Sequence, residues 1–251
     1  MPRDHRTTDA TTTGAPRHQP TAREGHQVIR VLLADDEVMI RAGVRAILTA
    51  DPATDPAIEV VAEAGDGREA IELTRSHRPD VALLDIRMPR LDGLAAAAEL
   101  RRAAPDTAVV ILTTFGEDEY IARALADGAN GFLLKSGDPH ELIAGVRAVA
   151  AGAAYLSPQV AHRVITEMRS NRIGHGAHAR RRVDTLTPRE RQVLTLVGAG
   201  LSNAEIASRL NVVEGTVKAY VSAILTRLQV RNRVQAAILA YEAGLLDGTT
   251  P

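Results

Sequence analysis

The stretch VIRVLLADDEVMIRAGVRAILTA, Val28 to Ala50, sets the reading of the chain. A short apolar run, Val28–Ala34, closes on Asp35-Asp36-Glu37 and passes into a helical stretch over 38–50. The same unit recurs. Runs at Ile58–Ala64, Val81–Leu84, Ala108–Thr113 and Gly131–Leu134 alternate with helical stretches near 67–77, 92–104, 118–127 and 139–151. Such alternation implies an α/β domain over 28–151, a five-stranded doubly wound parallel sheet with helices on both faces.

Outward from this core the pattern changes. Residues 1–27 are polar and Thr-rich without apolar periodicity, which reads as a disordered extension. Asp51-Pro52-Ala53-Thr54-Asp55-Pro56 is a polar connecting loop with no chemistry assigned to it. Over 152–184 the signal weakens to a short helix from Pro158 to Met168 and a Gly-, His- and Arg-rich run, the expected interdomain linker. Residues 185–246 show four helical segments separated by Gly200, Asn211 and Asn232 and no strand, so the second domain is expected to be all α, with 247–251 as a tail.

Composition separates the two halves. The whole chain has a formal net charge of −1, but residues 28–150 carry 13 Lys and Arg against 21 Asp and Glu, whereas residues 180–251 carry 10 against 6. An acidic half and a basic half imply two tasks. The absence of cysteine excludes disulfides, thiolate nucleophiles and cysteine metal sites. No apolar run approaches the roughly 20 residues of a membrane span, and the expected location is the cytoplasm. Arginine outnumbers lysine 28 to 2, so Lys135 and Lys218 stand out.

In an open parallel sheet, ligands bind at the carboxyl ends of the strands. Here those ends carry Asp35-Asp36-Glu37, Asp85, Thr113-Thr114 and Lys135. Clustered carboxylates repel one another and stay ionised together only around a cation. Oxygen-only ligands select a hard ion, and few protein ligands with several waters suit Mg²⁺ better than Zn²⁺. An aspartate beside such an ion can attack a phosphoryl group while a lysine and a hydroxyl hold its oxygens. Taken singly, Asp35 or Asp36 reads as a helix cap, Asp92-Gly93 as a turn and Lys135 as a surface charge. Their conjunction at successive strand ends points instead to phosphoryl transfer onto a carboxylate.

Five motifs resemble those of the receiver domain of two-component systems, a flavodoxin-like fold, over Val28–Ala151. They are Ala34-Asp35-Asp36-Glu37, Leu83-Leu84-Asp85-Ile86-Arg87-Met88-Pro89, Leu91-Asp92-Gly93, Leu112-Thr113-Thr114-Phe115 and Gly128-Ala129-Asn130-Gly131-Phe132-Leu133-Leu134-Lys135. The resemblance implies that Asp85 takes a phosphoryl group from a histidine kinase. It implies that Mg²⁺ is bound by Asp36, Asp85 and the backbone carbonyl of Arg87, with Asp35 acting largely through water. It further implies that Thr113 moves toward the phosphoryl group, that Phe132 changes rotamer with it, and that Lys135 pairs with its oxygens, Thr114 being a bystander. One departure is Ser136, where the family usually has aspartate or proline, a change in the loop rather than in the chemistry.

In the second half, Ser202 to Val221 has the spacing of two helices crossing through a tight turn. Ile206 and Leu210 face inward, Ala207 is small where helices approach, and Asn211 suits a left-handed turn. Val217 and Val221 continue the buried face, leaving Thr216, Lys218, Ala219 and Ser222 for a major groove. A small helical bundle for protein contact has the same periodicity. Leu186-Thr187-Pro188-Arg189-Glu190-Arg191-Gln192-Val193-Leu194, Gly200 to Ala207 and Glu214-Gly215-Thr216-Val217-Lys218 resemble the LuxR-type output domain, and with the receiver this gives the NarL/FixJ family of response regulators. That resemblance implies double-stranded DNA as a partner, with Lys218 and Ser222 near bases or phosphates and Asn203 and Thr216 on the backbone. It also implies a homodimer on two-fold DNA sites, with Val234, Ala237, Ile238 and Tyr241 shared between intradomain core and pairing. Val213 stands where serine is common, and Tyr220 replaces a common histidine.

The expected function is therefore a phosphorylation-controlled transcriptional regulator rather than an enzyme. Phosphorylation of Asp85 shifts a receiver equilibrium that otherwise hides the DNA-reading helix or prevents pairing. Two other readings are a phosphorylation-independent DNA-binding regulator and a Mg²⁺-dependent phosphohydrolase of the haloacid dehalogenase type. The latter needs an acid two positions after its nucleophile, where this chain has Arg87.

Overall fold

The computed structural model describes residues 28–50, 56–114, 118–170 and 172–246. The expected extension (1–27), the tail (247–251), Phe115 and residues 51–55 of the polar loop lie outside the described residues. Five βα units run β1 (Ile29–Ala34), α1 (Val38–Leu48), β2 (Ile58–Ala64), α2 (Gly67–His77), β3 (Val81–Asp85), α3 (Gly93–Ala103), β4 (Ala108–Thr113), α4 (Asp118–Asp127), β5 (Gly131–Leu134) and α5 (Pro139–Ala150). A two-residue strand β6 (Tyr155–Leu156) pairs with β5, so the parallel sheet has six strands, one more than expected, in the order β2-β1-β3-β4-β5-β6. Two residues are too few to show the alternation by which a strand is read from sequence.

Successive side chains of a strand point to opposite faces, and both faces here are covered. Ile29, Val31 and Leu33 pack with Val44 and Leu48 of α1 and Val146 and Val149 of α5. Leu32 and Ala34 pack on the other face with Ile71 of α2, Leu94 and Leu100 of α3, and Ile121 and Leu125 of α4. This is why the strands read as continuous apolar runs. Leu32, Leu33, Leu83 and Leu84 are fully buried, each contributing about 2 kcal/mol by removal from water.

The second domain follows α6 (Pro158–Ser170) and comprises α7 (Arg172–Val183), α8 (Pro188–Gly198), α9 (Asn203–Leu210), α10 (Glu214–Arg227) and α11 (Arg233–Glu242). Residues 152–184, read as linker, thus hold β6, α6 and α7. Ala179 and Val183 of α7 are buried with Val193, Leu194, Ile206, Val217, Ile224 and Leu239, so five helices build this core where four were expected. Among the described residues no helix is long and apolar enough to cross a membrane.

The helix starts follow their capping chemistry. Thr187 and Ser202 form capping boxes with Glu190 and Glu205, and the Asn232 side chain accepts from Gln235 N–H. Asn211 takes the left-handed conformation (φ 53°) that turns α9 toward α10. Only α10 among these starts without a side-chain cap, because Val213 occupies its N-cap and is 73% exposed. Val213→Ser is therefore expected to stabilise the chain by about 1 kcal/mol, raising the melting temperature by roughly 2–4 °C. Scanning calorimetry checks this, and an unchanged temperature would remove the capping argument.

Glu190 is buried under α8, where the Thr187 backbone N–H and hydroxyl donate to its Oε2 at 2.8 and 2.7 Å. These bonds hold its carboxyl below the ordinary value. A depressed carboxylate contributes stability that is present above its unfolded value, about 4.3, and lost as pH falls through the folded one. Glu190→Gln is expected to flatten the acid limb of the stability profile, measured by urea unfolding between about pH 6 and about pH 3. A limb as steep as in the wild type would show that other carboxylates set it.

Candidate functional site

Strand order reverses between β1 and β3, and the crevice at their carboxyl ends is where such sheets bind ligands. Asp35 and Asp36 follow β1, Asp85 ends β3, Thr113 ends β4, and Lys135 follows β5 with its N–H bonded to the Thr113 carbonyl at 2.7 Å. Carboxylate oxygens of Asp35, Asp36 and Asp85 lie within 4.8 Å of one another. Asp35 is fully buried, Asp85 and Thr113 nearly so, and Asp36 is exposed. The Lys135 ammonium lies 2.6 Å from Asp35 Oδ2 and 3.1 Å from Asp85 Oδ1.

Burial raises the Asp85 carboxyl above its ordinary value, and the Asp35 carboxylate adds to this against the opposing pull of Lys135. For Lys135, burial favours the neutral amine, but the two carboxylates outweigh it and hold the ammonium above its ordinary value. Asp35 Oδ2 is buried beside that ammonium without a partner in hydrogen-bond geometry, so lone-pair capacity remains on it. Three carboxylates against one ammonium, all oxygen donors, fit a hard divalent cation. Arg87 stands in the following loop with an exposed side chain, Thr114 is exposed, and Phe132 is fully buried in the layer under α2, α3 and α4.

Several supporting residues escaped the sequence reading. Arg41 of α1 donates to the Asp35 carbonyl at 2.6 Å and to Glu63 at 2.9 Å, fixing the turn that carries Asp35 and Asp36. Fully buried Asp66 accepts from the N–H groups of Arg68 and Glu69 and pairs with Arg90. Arg90 takes a left-handed φ of 63° in the loop after Asp85, so this pair ties that loop to the start of α2. At Gly93 a Cβ would collide with the Asp85 carbonyl, which is why α3 can begin directly over the strand end. The Asp66-Gly67 capping pattern was legible, but not its partner 24 residues away.

In the helical domain, α9, the Asn211 turn and α10 form two crossing helices. Lys218, Ala219 and Ser222 are exposed on α10, opposite buried Val217 and Ile224, while Thr216 is half-buried. Asn203 differs from the solvent-facing position expected of a DNA contact: it is 6% exposed. Its Oδ1 accepts from Arg233 at 2.8 Å and its N–H donates to the Ala151 carbonyl at 3.3 Å. A Cβ at Gly152 (φ 74°) would collide with the Asn203 side chain, so the two domains meet closely here.

The rest of that boundary is built on the carboxyl end of α4, whose last carbonyls have no partner within the helix. Asn232 Nδ2 donates to the Leu125 and Ala129 carbonyls at 2.9 and 2.7 Å, and Gln235 Nε2 to Leu125 at 2.9 Å. Arg231 donates to the Ala126 carbonyl at 3.0 Å. Val234 is buried in the sheet domain's core layer with Ile238 against it, and Tyr241 is 44% exposed. Part of the stripe read as core or pairing surface thus covers the first domain.

Residues 31–147 match the family described as response regulator receiver domain, and residues 184–240 the family described as bacterial regulatory proteins, luxR family. The chain is similar to the uncharacterized transcriptional regulatory protein YxjL of Bacillus subtilis, 40% identical over 219 residues covering 87% of this chain and 98% of that protein. It is similar to the nitrate/nitrite response regulator protein NarL of Escherichia coli, 37% identical over 212 residues covering 84% and 94%. A solved two-component response regulator of the LuxR family from Aurantimonas sp. SI85-9A1 is 31% identical, with a TM-score of 0.52, over 56% of this chain and 98% of that one.

Asn232→Asp retains the oxygen that caps α11 but removes the donors to the Leu125 and Ala129 carbonyls. It is expected to separate the domains, raising the radius of gyration in solution scattering and speeding amide exchange at α6. A scattering profile like that of the wild type would show that the boundary does not depend on these bonds.

Proposed function

The chain belongs to the two-component response regulators with a LuxR-type DNA-binding domain, and from that premise we propose that phosphoryl transfer to Asp85 releases its DNA-reading helix from the receiver. It is a transcriptional regulator and not an enzyme, as its relatives are. The observation that carries the proposal is the meeting of Asp35, Asp36 and Asp85 within 4.8 Å, with Lys135 on two of them.

Receiver domains generally bind Mg²⁺ at such a pocket, and here Asp36, Asp85 and the Arg87 carbonyl would hold it, with Asp35 acting through water. When bound, the ion offsets charge on the phosphoryl oxygens. An Asp85 carboxylate oxygen attacks the phosphorus of a kinase phosphohistidine. The P–N bond breaks, its electron pair stays on the imidazole, and an acyl phosphate forms. Lys135 then leaves its carboxylate pairing for a phosphoryl oxygen, and the Thr113 hydroxyl donates to another. Phe132 is the aromatic that repacks with Thr113.

Movement at Thr113 bears on α4, which begins five residues later and whose other end carries the bonds from Asn232, Gln235 and Arg231. In this arrangement Lys218, Ser222 and Asn203 line a cavity whose opposite wall is the receiver, so a major groove has no access to them from that side. Loosening the α4 boundary would free Lys218, Ser222, Ala219, Thr216 and Asn203 for DNA and leave the α11 stripe for pairing of two chains on adjacent half-sites. The phosphorylation-independent reading has no observation of its own in its favour.

The test is incubation of the full chain and Asp85→Asn with acetyl phosphate and Mg²⁺, followed by intact mass and DNA affinity. The wild type is expected to gain one phosphoryl group, about 80 Da, and to bind DNA at least tenfold more tightly, both lost in the variant. No uptake, with a control receiver labelled in parallel, would sink the phosphoswitch and leave the DNA-binding domain standing.

A further inference from the structure

Between the receiver and the output domain lies a cavity of about 280 Å³. Its walls carry four cationic side chains, Arg101 from α3 and Lys218, Arg231 and Arg233 from the output domain, and no acidic residue lines it. Two of the four have anionic partners: Lys218 lies 3.2 Å from Glu214 and Arg231 3.5 Å from Asp127, and both cations are more than half exposed. The other two line the cavity without such partners. Arg101 Nε is buried and has no hydrogen-bond partner. Arg233 is 4% exposed and donates only to neutral oxygens, Asn203 Oδ1 and the Leu201 carbonyl. Burial lowers it to about 10, with the Glu205 carboxylate pulling the other way.

Like charges facing one another across a domain boundary oppose its closure, and a buried guanidinium whose hydrogen bonds go to neutral oxygens is costly. An anion in the cavity removes both penalties at once. We propose that this cavity binds a small phosphate-type anion, held by Arg101, Arg233 and Lys218, and that the anion latches the receiver onto the DNA-reading helix. Guanidinium forks match the paired oxygens of a phosphate, and Asn203 and Ser222 add neutral donors. The volume lies below the usual range of small-molecule pockets, roughly 300–1,000 Å³, which suits orthophosphate or pyrophosphate better than a nucleotide. The anion takes side chains that the proposed function assigns to DNA, so anion and DNA exclude each other. That exclusion rests on the DNA-contact reading, whereas binding of the anion does not.

The experiment is calorimetric titration of the full chain with pyrophosphate in Mg²⁺-free buffer, with ionic strength held constant by chloride. One saturable site per chain is expected, weakened at least tenfold by Arg101→Gln and by Lys218→Gln and unchanged by Asp85→Asn. Orthophosphate is expected to bind the same site more weakly. Absence of saturable binding overturns the proposal. So does loss in Lys218→Gln with Arg101→Gln unaffected, because the anion would then sit on the open face of α10. Should Arg101→Gln fail to fold, Arg101→Lys replaces it, with at least threefold weakening expected and none overturning the site. With a duplex that the chain binds, pyrophosphate is expected to lower DNA affinity in the wild type and not in Arg101→Gln, and an equal effect on both overturns the latch. A chain that binds the anion but no DNA overturns the DNA reading alone.

Discussion

The Lys135 ammonium lies between the carboxylates of Asp35 and Asp85, and the sheet edge is organised around that contact. Two buried carboxylates this close repel one another, by about 4 kcal/mol for unit charges 4 Å apart at an effective dielectric of 20. The edge is stable because three separate strands deliver the two acids and the cation to one place. β1 and β3 are neighbours in the sheet; β3 ends on Asp85, while β1 and β5 each stop one residue short of Asp35 and Lys135. The loops that follow are pinned from outside, Asp35 through Arg41 and the loop after Asp85 through Asp66 and Arg90. The same imbalance of charge makes the pocket receptive to a divalent cation.

The second constraint is the exposed carbonyl end of α4. A helix that ends against another domain must find donors there, and the output domain supplies them from one short turn, Arg231 to Gln235. The element that leads away from Thr113 is therefore also the one that holds the output domain. This gives a phosphorylation switch a contiguous physical route, from a strand end through one helix to the boundary whose cavity Lys218 and Ser222 line. Asn232 serves both sides at once, with its oxygen capping α11 and its nitrogen bonding α4.

Much of this was legible in the residues alone. Val31, Leu33, Leu32 and Ala34 alternate between two covered faces, and that produces the apolar runs from which five strands are read. Thr187-x-x-Glu190 and Ser202-x-x-Glu205 announce their helices through local bonds. β6 and α7 were not legible in the same way. β6 has two residues, and α7 shows little more than Ala179 and Val183, four apart, among glycines and arginines.

By itself, the sequence determined the βα order, the helix starts and which chemical groups close each strand, because periodicity, capping and strand ends are properties of neighbours in the chain. Only the tertiary structure decided what those groups face. Asn203 looked like a DNA contact and is buried against Arg233 and the receiver, while Asn232 read only as a break between helical segments and grips carbonyls more than a hundred residues away. Arg101 is far in the chain from Arg231 and Arg233, and all three line one cavity. The physical reason is that a hydrogen bond or a charge contact across a domain boundary depends on where two surfaces dock, and no local pattern along the chain encodes that docking.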